Sequence, residues 1–339
     1  YAALVMDKYT RRRLIQVAGE IAQLGYDTAT PIESVLDQAE QKLFGITQDR
    51  PQSGLTATSD ILIDTFSEIE QRSLGVVLPG IPCSFYDLDA MTQGFQRSDL
   101  IIAAGRPSMG KTSIVLNMAR NIAAINKLPV AIFSLEMSKL QLVYRLLSSE
   151  VEIESSRLRS GRIAQQEWEK LGHAISVLSQ MPVFIDDTPN ISVTEMRSKA
   201  RRLQAEQGGA LGLILVDYLQ LMEGGGDNRV QELSKITRAL KGLARELNTP
   251  IIALSQLSRG VESRTNKRPM MSDLRESGAI EQDADLIMML YREEYYEPDT
   301  PDRGIAEVII TKHRNGPTGT VKLLFEPQYT RFRNLARPT

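Results

Sequence analysis

Cysteine is nearly absent. Cys83 is the single one in 339 residues, which excludes an internal disulfide and any cysteine-based zinc cluster. Histidine is almost as scarce, and His173 and His313 alone argue against a histidine-based metal site. No apolar run approaches the ~18 residues that a membrane-spanning helix takes. No secretory leader is visible, although the chain opens on Tyr1 rather than Met and reads as a fragment. Neither sign of charge dominates: 40 Lys and Arg against 42 Asp and Glu leave a net charge of -2. That balance excludes a histone-like basic protein, so any nucleic-acid contact must come from a local patch. A soluble, reducing compartment is the expectation. What the chain does have is 42% hydrophobic and 24% charged residues, which suffices for a sizeable core. Its length allows two domains, or one large domain with an appendage. No internal repeat or low-complexity stretch stands out.

The organisation changes along the chain. Residues 1–46 carry two helical patterns. The first runs through Leu4, Leu14, Val17, Ile21 and Leu24, with Gly25 as its stop; the second begins near Thr30-Pro31 and runs through Val35, Leu36, Ala39 and Leu43. This predicts an antiparallel helical hairpin, too short to fold well alone and so the end of a larger domain. Residues 47–74 read as a linker, with a helix over about 59–73 capped by Ser59 or Asp60. The apolar positions Leu62, Phe66 and Ile69 of that helix must bury against something, either the same chain or a neighbouring subunit. From about residue 75 to 339, near-continuous apolar strands alternate with helices. The strands are Leu100–Ala104, Val130–Leu135, Val183–Ile185, Leu213–Val216 and Ile251–Leu254, and the pattern predicts an α/β fold with a mostly parallel sheet covered on both faces. After Leu286–Tyr291, two strands flank Asn315-Gly316-Pro317 and predict an antiparallel hairpin at the sheet edge.

Gly105-Arg106-Pro107-Ser108-Met109-Gly110-Lys111-Thr112 matches G-x-x-x-x-G-K-[ST], with an apolar strand before it and a helix after it. Its backbone N–H groups can wrap a β-phosphate, Lys111 can reach the β- and γ-phosphates, and the Thr112 hydroxyl can ligate Mg²⁺. A chance glycine-rich turn would lack that strand and helix. The buried run Leu211 to Val216 ends in Asp217, a candidate metal carboxylate. Tyr218 follows it, where many P-loop ATPases place their water-activating Glu. Glu136, at the end of Ile132-Phe133-Ser134-Leu135, is therefore the candidate general base; the alternative is an acid that merely favours a helix N-terminus. Gln256 ends the strand Ile251–Leu254 at the same side and is a candidate γ-phosphate sensor. Beyond it, the segment from Ser258 to Arg275 holds five cations against two acids and shows no clear secondary structure. Such a loop could grip a nucleic-acid backbone, or be a solvated charged loop.

The blocks GRPSMGKT, AIFSLEMS, LILVDYLQLM, IIALSQLSR, RPMMSDLRESGAIEQDADLIM and ITKHRNGPTGTVKL, in this order, resemble the DnaB family of bacterial replicative helicases. The resemblance runs end to end. It implies a RecA-like motor domain, a linker helix and the tail of an N-terminal helical domain. It also implies a homohexameric ring that uses ATP and Mg²⁺ to translocate 5′ to 3′ on single-stranded DNA, with primase and a helicase loader as partners, in the cytoplasm at the nucleoid or in a plastid stroma. Carried onto this sequence, it puts Arg145 against the nucleotide base, Arg275, Glu276 and Gly278 on DNA phosphates, and Lys312 and Arg314 in the ATP site of the next subunit. The family usually reads Gly-Ile-Pro-Thr-Gly-Phe where this chain has Gly80-Ile81-Pro82-Cys83-Ser84-Phe85. Two other readings compete: a RecA-type recombinase that forms an open filament, and a RecA-like ring ATPase that binds no DNA. ABC transport and GTPase readings fail, because neither LSGGQ nor N-K-x-D is present.

Overall fold

The computed structural model describes residues 2–26, scattered positions from 32 to 43, and residues 57–73, 79–222, 229–274 and 278–335. The chain divides into two units, Tyr1–Val76 and Val77–Thr339.

In the first unit, α1 (Ala2–Tyr26) continues through Gly25, since one glycine near a helix end costs only about 1 kcal/mol. Most of the second helix of the expected hairpin lies outside the described residues. Val17 and Val35 are both buried, and Lys42 pairs with Glu20 at 2.6 Å. The linker helix α2 (Thr58–Ser73) starts one residue before the expected cap, Ser59. Its apolar residues Leu62, Phe66 and Ile69 are all more than half exposed, and Ile61 and Ile63 join them.

The second unit is built on a nine-stranded sheet in the order β3-β2-β4-β5-β1-β6-β7-β8-β9. The strands are β1 (Leu100–Gly105), β2 (Val130–Ser134), β3 (Val183–Asp186), β4 (Leu213–Asp217), β5 (Ile251–Gln256), β6 (Leu286–Tyr291), β7 (Ile305–His313), β8 (Gly319–Glu326) and β9 (Arg331–Asn334). The first six run parallel to one another, and β7 to β9 are added antiparallel, β7 against β6. Alternation along β1 serves two cores: Ile101 and Ala103 pack into one, Leu100, Ile102 and Ala104 into the other. The first core lies under α4 (Lys111–Ile125), which supplies Ile114, Val115, Met118 and Ile122. The second lies under α9 (Arg229–Leu247), whose Leu233, Ile236, Leu240 and Leu243 recur at helical spacing. Between β2 and β4 run α5 (Lys139–Val151), α6 (Ser155–Ser160), α7 (Glu167–Ser179) and α8 (Val193–Glu206). The short α3 (Tyr86–Thr92) precedes the sheet, and α10 (Gly278–Asp283) precedes β6.

The β7–β8 hairpin forms around the expected Asn-Gly turn but is not at the edge. The short strand β9 pairs with β8 and takes the outer position. Four residues, Arg331-Phe332-Arg333-Asn334, carry too weak an alternation to announce a strand. Their place follows from packing, with the Phe332 ring tilted against that of Phe325 at 4.4 Å between centroids.

At the start of the unit, the Cys83-Ser84 departure wraps one carboxylate. Asp89 accepts from the Cys83 and Ser84 backbone N–H groups at 2.9 and 2.7 Å, and from the Cys83 thiol at 3.1 Å. Burial pushes the Cys83 thiol well above its ordinary range, so it is a packed thiol and not a nucleophile. Ser84 adopts φ 66°, the left-handed conformation that suits the glycine of the family pattern.

Candidate nucleotide site

The carboxyl ends of β1, β2, β4, β5 and β6 converge on one cleft of about 410 Å³. The loop 105–112 leaves β1 and enters α4 at Gly110, whose φ is 95°. A Cβ there would lie 3.0 Å from the Phe332 ring, so both the backbone conformation and the β8–β9 hairpin require glycine. Ser108 also takes a left-handed φ, 64°. Backbone curled this way points successive N–H groups into one concavity, the arrangement that cradles phosphate.

Lys111, Thr112, Glu136, Arg145, Asp217 and Gln256 all line the cleft. The Thr112 hydroxyl donates to Asp217 Oδ2 at 2.9 Å. Burial raises the Asp217 pKa to about 6, against the lowering effects of Thr112, Lys111 and Arg145. Burial also lowers Lys111 to about 8, partly offset by Asp217 and Glu136. Its ammonium donates to the Arg106 carbonyl at 3.1 Å. Arg145 too is lowered by burial, with Asp217 and Glu136 opposing. The site thus sets three cations, Lys111, Arg145 and Arg292, around the buried Asp217 and the exposed Glu136, with Lys111, Arg145 and Asp217 largely desolvated. In it, charges brought by a ligand interact strongly.

Strand register explains the placement of Glu136. Ser134 pairs opposite Asp217, and Leu135 N–H donates to the Asp217 carbonyl at 2.7 Å. Two residues further on, Glu136 emerges beside Asp217. It is not in the first turn of α5, which begins at Lys139 behind a capping box of Ser138 and Gln141. Glu136 thus lies just before the helix and not within its first turn. Gln256 pairs opposite Gly105, at the start of the phosphate loop. Its backbone N–H donates to Gln220 Oε1 at 3.3 Å.

Three features differ from expectation. The Arg106 side chain leaves the cleft: its guanidinium donates to Glu262 at 2.8 Å and to the Leu257 carbonyl at 2.8 Å. The basic segment is not unstructured. It holds 3₁₀ turns at Arg259–Ser263 and Met271–Leu274, and most of its charge is used internally. Arg264 pairs with Asp273 at 2.7 Å, Arg268 pairs with Glu307, and Lys267 lies over the Tyr296 ring at 4.9 Å. Arg259 is exposed, and Arg275 and Glu276 lie outside the described residues. Third, Lys312 and Arg314 do not guard a sheet edge, because β7 is flanked by β6 and β8. A bulge at Thr311 shifts the register, since Ile287 pairs with Lys312 and Met288 with Ile310. Beyond it Lys312 and Arg314 both reach the carbonyl end of α10. Lys312 donates to the carbonyls of Glu281 and Ala284, and Arg314 to that of Gln282 at 3.1 Å. His313 turns the other way, toward the Pro317 carbonyl at 3.2 Å. Neither Lys312 nor Arg314 lines the cleft of its own chain. Gly278 opens α10, directly after the undescribed residues.

Arg292 was missed. It lines the cleft, donates to the Ser108 carbonyl at 3.0 Å, pairs with Glu294 and lies over the Phe325 ring at 4.5 Å. The available signal was its position as the first residue after the buried strand β6, whose carboxyl end adjoins β1.

A hydroxyl and one carboxylate facing a phosphate cradle are hard oxygen donors suited to Mg²⁺, which prefers one or two protein oxygens together with substrate phosphates. Among the described residues no group of three or more His, Cys, Asp or Glu could form a separate metal cage. The residues present fit a nucleotide-borne Mg²⁺.

The profile of the DnaB-like helicase C terminal domain family matches residues 80–334. The chain belongs to this family. A replicative DNA helicase DnaB of Nostoc sp. is 72% identical over 283 residues, covering 84% of this chain but only 32% of the relative. A replicative DNA helicase of Bacillus subtilis is 51% identical over 341 residues, covering 99% of this chain and 75% of the relative. The fold agrees with that of a DnaB-like replicative helicase solved in a study of its interactions with primase. The TM-score is 0.85 at 39% identity, over 98% of this chain and 78% of that one. The sheet of residues 77–339 is accordingly the RecA-like α/β sheet of DnaB-family ATPase domains. Among the described residues, no helix is long and apolar enough to cross a membrane.

Proposed function

We propose that this chain is the ATP-driven motor of a replicative DNA helicase, a homohexameric ring that translocates 5′ to 3′ on single-stranded DNA and unwinds the duplex ahead of it. The observation that carries the proposal is Glu136 held beside the Thr112–Asp217 pair in a phosphate cradle of the DnaB family. On this reading, Lys111 exchanges the Arg106 carbonyl for the β- and γ-phosphates. Thr112 and Asp217 hold the Mg²⁺, which would neutralise phosphate charge. Glu136 orients and deprotonates the attacking water, Gln256 reads the γ-phosphate, and Arg145 and Arg292 frame the rest of the nucleotide. Lys312 and Arg314, away from their own cleft, serve the neighbour's transferring phosphoryl group. Arg275, Glu276 and the Gly278 backbone meet DNA phosphates in the ring's channel. Residues 1–46 are the tail of a larger N-terminal domain that contacts primase and a loader, and 47–74 link it to the motor. The setting is the cytoplasm at the nucleoid, or a plastid stroma.

The test is ATP hydrolysis with and without single-stranded DNA, paired with strand displacement on a forked duplex carrying a 5′ tail. DNA-stimulated hydrolysis with unwinding is expected. Stimulation without unwinding, together with open filaments in electron micrographs, would support a recombinase. A ring indifferent to DNA would support a non-DNA ATPase.

A further inference from the structure

Arg106, in the phosphate loop, turns its side chain away from the cleft, and its environment is specific. It is 7% exposed, so its guanidinium has left water and must be satisfied by protein groups. It finds two, both in the segment that follows the candidate sensor: the Leu257 carbonyl and the Glu262 carboxylate, each at 2.8 Å. The return contact runs from the Leu257 N–H to the Gly105 carbonyl at 3.3 Å. The loop and the residue after Gln256 are therefore clamped at two points. From there the contacts continue outward. Ser258 N–H donates to the Asp273 carbonyl at 3.0 Å, while the Asp273 side chain holds Arg264 and the Met270 N–H, both at 2.7 Å. Residues 258–274 thus form one strapped unit, which ends next to Arg275.

The same Arg106 also meets the nucleotide side, because its carbonyl accepts Lys111 Nζ at 3.1 Å. Phosphates that recruit Lys111 remove that donor. The backbone released in this way carries a side chain gripping the base of the basic segment. A guanidinium is a planar, rigid fork, so movement of the loop is passed to both partners together.

We infer that the Arg106–Glu262 pair is a relay that couples nucleotide in the phosphate loop to the basic segment 258–274, with Arg106 and Glu262 acting as positioning residues. The inference rests on the proposed DNA-dependent ATPase. Coupling of this kind is reciprocal: whatever factor DNA applies to nucleotide affinity, nucleotide applies to DNA affinity. A purely structural ion pair would support folding and leave that factor unchanged.

Glu262 is the side to alter, since it is 42% exposed and does not line the cleft. In the full-length protein, Glu262→Ala should keep DNA-independent hydrolysis, and nucleotide-free affinity for a dye-labelled oligothymidylate, within about threefold of wild type. The stimulation of hydrolysis by that DNA should fall by about fivefold or more. The change in DNA affinity caused by a nonhydrolysable ATP analogue should shrink by a similar factor, the lower end of common intersite coupling. Wild-type stimulation and wild-type nucleotide dependence in the variant would overturn the relay alone. A wild-type protein with no DNA stimulation at all would overturn both the relay and the function on which it rests.

Discussion

At the scale of single residues, the candidate site sets a buried Asp217 and a partly buried Lys111 beside an exposed Glu136. Glu136 gives the sharpest test. If it activates water, Glu136→Gln should bind nucleotide normally and hydrolyse it at least about 100-fold more slowly. Steady-state turnover beside a nucleotide titration checks this, and near-normal turnover would return the role to another group. The buried pair sets a pH window. Asp217, raised to about 6, must be ionised to hold a metal, so Mg²⁺-dependent nucleotide affinity should fall below that pH. Lys111, lowered to about 8, must be protonated to hold phosphate. A bound phosphate raises its pKa, so the complex holds a proton that the free protein has lost. Affinity should therefore also fall above pH 8, by up to about tenfold per pH unit on each limb. Titrating a fluorescent nucleotide across this range measures both limbs, and Asp217→Asn should flatten the acid one. Ser84 offers a stability test, because it bears a side chain in a left-handed conformation. Ser84→Gly should stabilise the domain by about 0.5–1 kcal/mol after the entropy that glycine gains in the unfolded chain. A denaturant midpoint unchanged or lowered would show that φ at this position carries no strain.

At the scale of elements, the linker helix α2 is the least self-sufficient part of the described chain. Phe66 is 69% exposed, and four other large apolar side chains on the helix are more than half exposed. A cluster of this kind marks an interaction surface. Phe66→Asp should leave the thermal midpoint of the motor domain unchanged, since the side chain is 69% exposed. In the proposed hexameric ring it should break the assembly into smaller species, because the charge would be buried against a neighbour. Light scattering decides, and an intact assembly would exclude Phe66 from the subunit interface. The hairpin β8–β9 shows the opposite economy. A four-residue strand with little pattern of its own is held by Phe332 on Phe325, and in turn presses on Gly110 of the phosphate loop.

At the scale of the whole molecule, the proposed ring would complete each ATP site with residues of another copy of the chain. Lys312 and Arg314 lie beyond the bulge of β7, on the carbonyl end of α10, and outside their own cleft. Mixing separates action in trans from action in cis. Lys111→Ala subunits lack the phosphate contact, and Arg314→Ala subunits lack the finger. Each should be inactive alone, and a finger contributes roughly 10³–10⁵ in rate. In mixed rings some interfaces join an intact phosphate loop to an intact Arg314, so DNA-independent hydrolysis should reappear. A mixture that stays inactive would place Arg314 in its own chain's site. Normal hydrolysis by Arg314→Ala alone would remove it from the reaction.

The sequence by itself determined the parallel α/β core, the phosphate loop, and Asp217, Glu136 and Gln256 as strand-end residues. Those features are local: an apolar strand, a glycine-rich turn and a polar residue at the carboxyl end each leave a signature within ten residues. Tertiary structure decided what depends on which distant strands become neighbours. The pairing of Ser134 with Asp217 brought Glu136 to the metal carboxylate, and the pairing of β6 with β1 brought in Arg292. The addition of β9 moved the hairpin off the edge, and the bulge at Thr311 set Lys312 and Arg314 on α10. Arg106 turned from the nucleotide to Glu262, 156 residues away. No spacing along a chain encodes a contact at that separation. It exists only because burying a guanidinium obliges it to find the nearest acceptors the fold supplies.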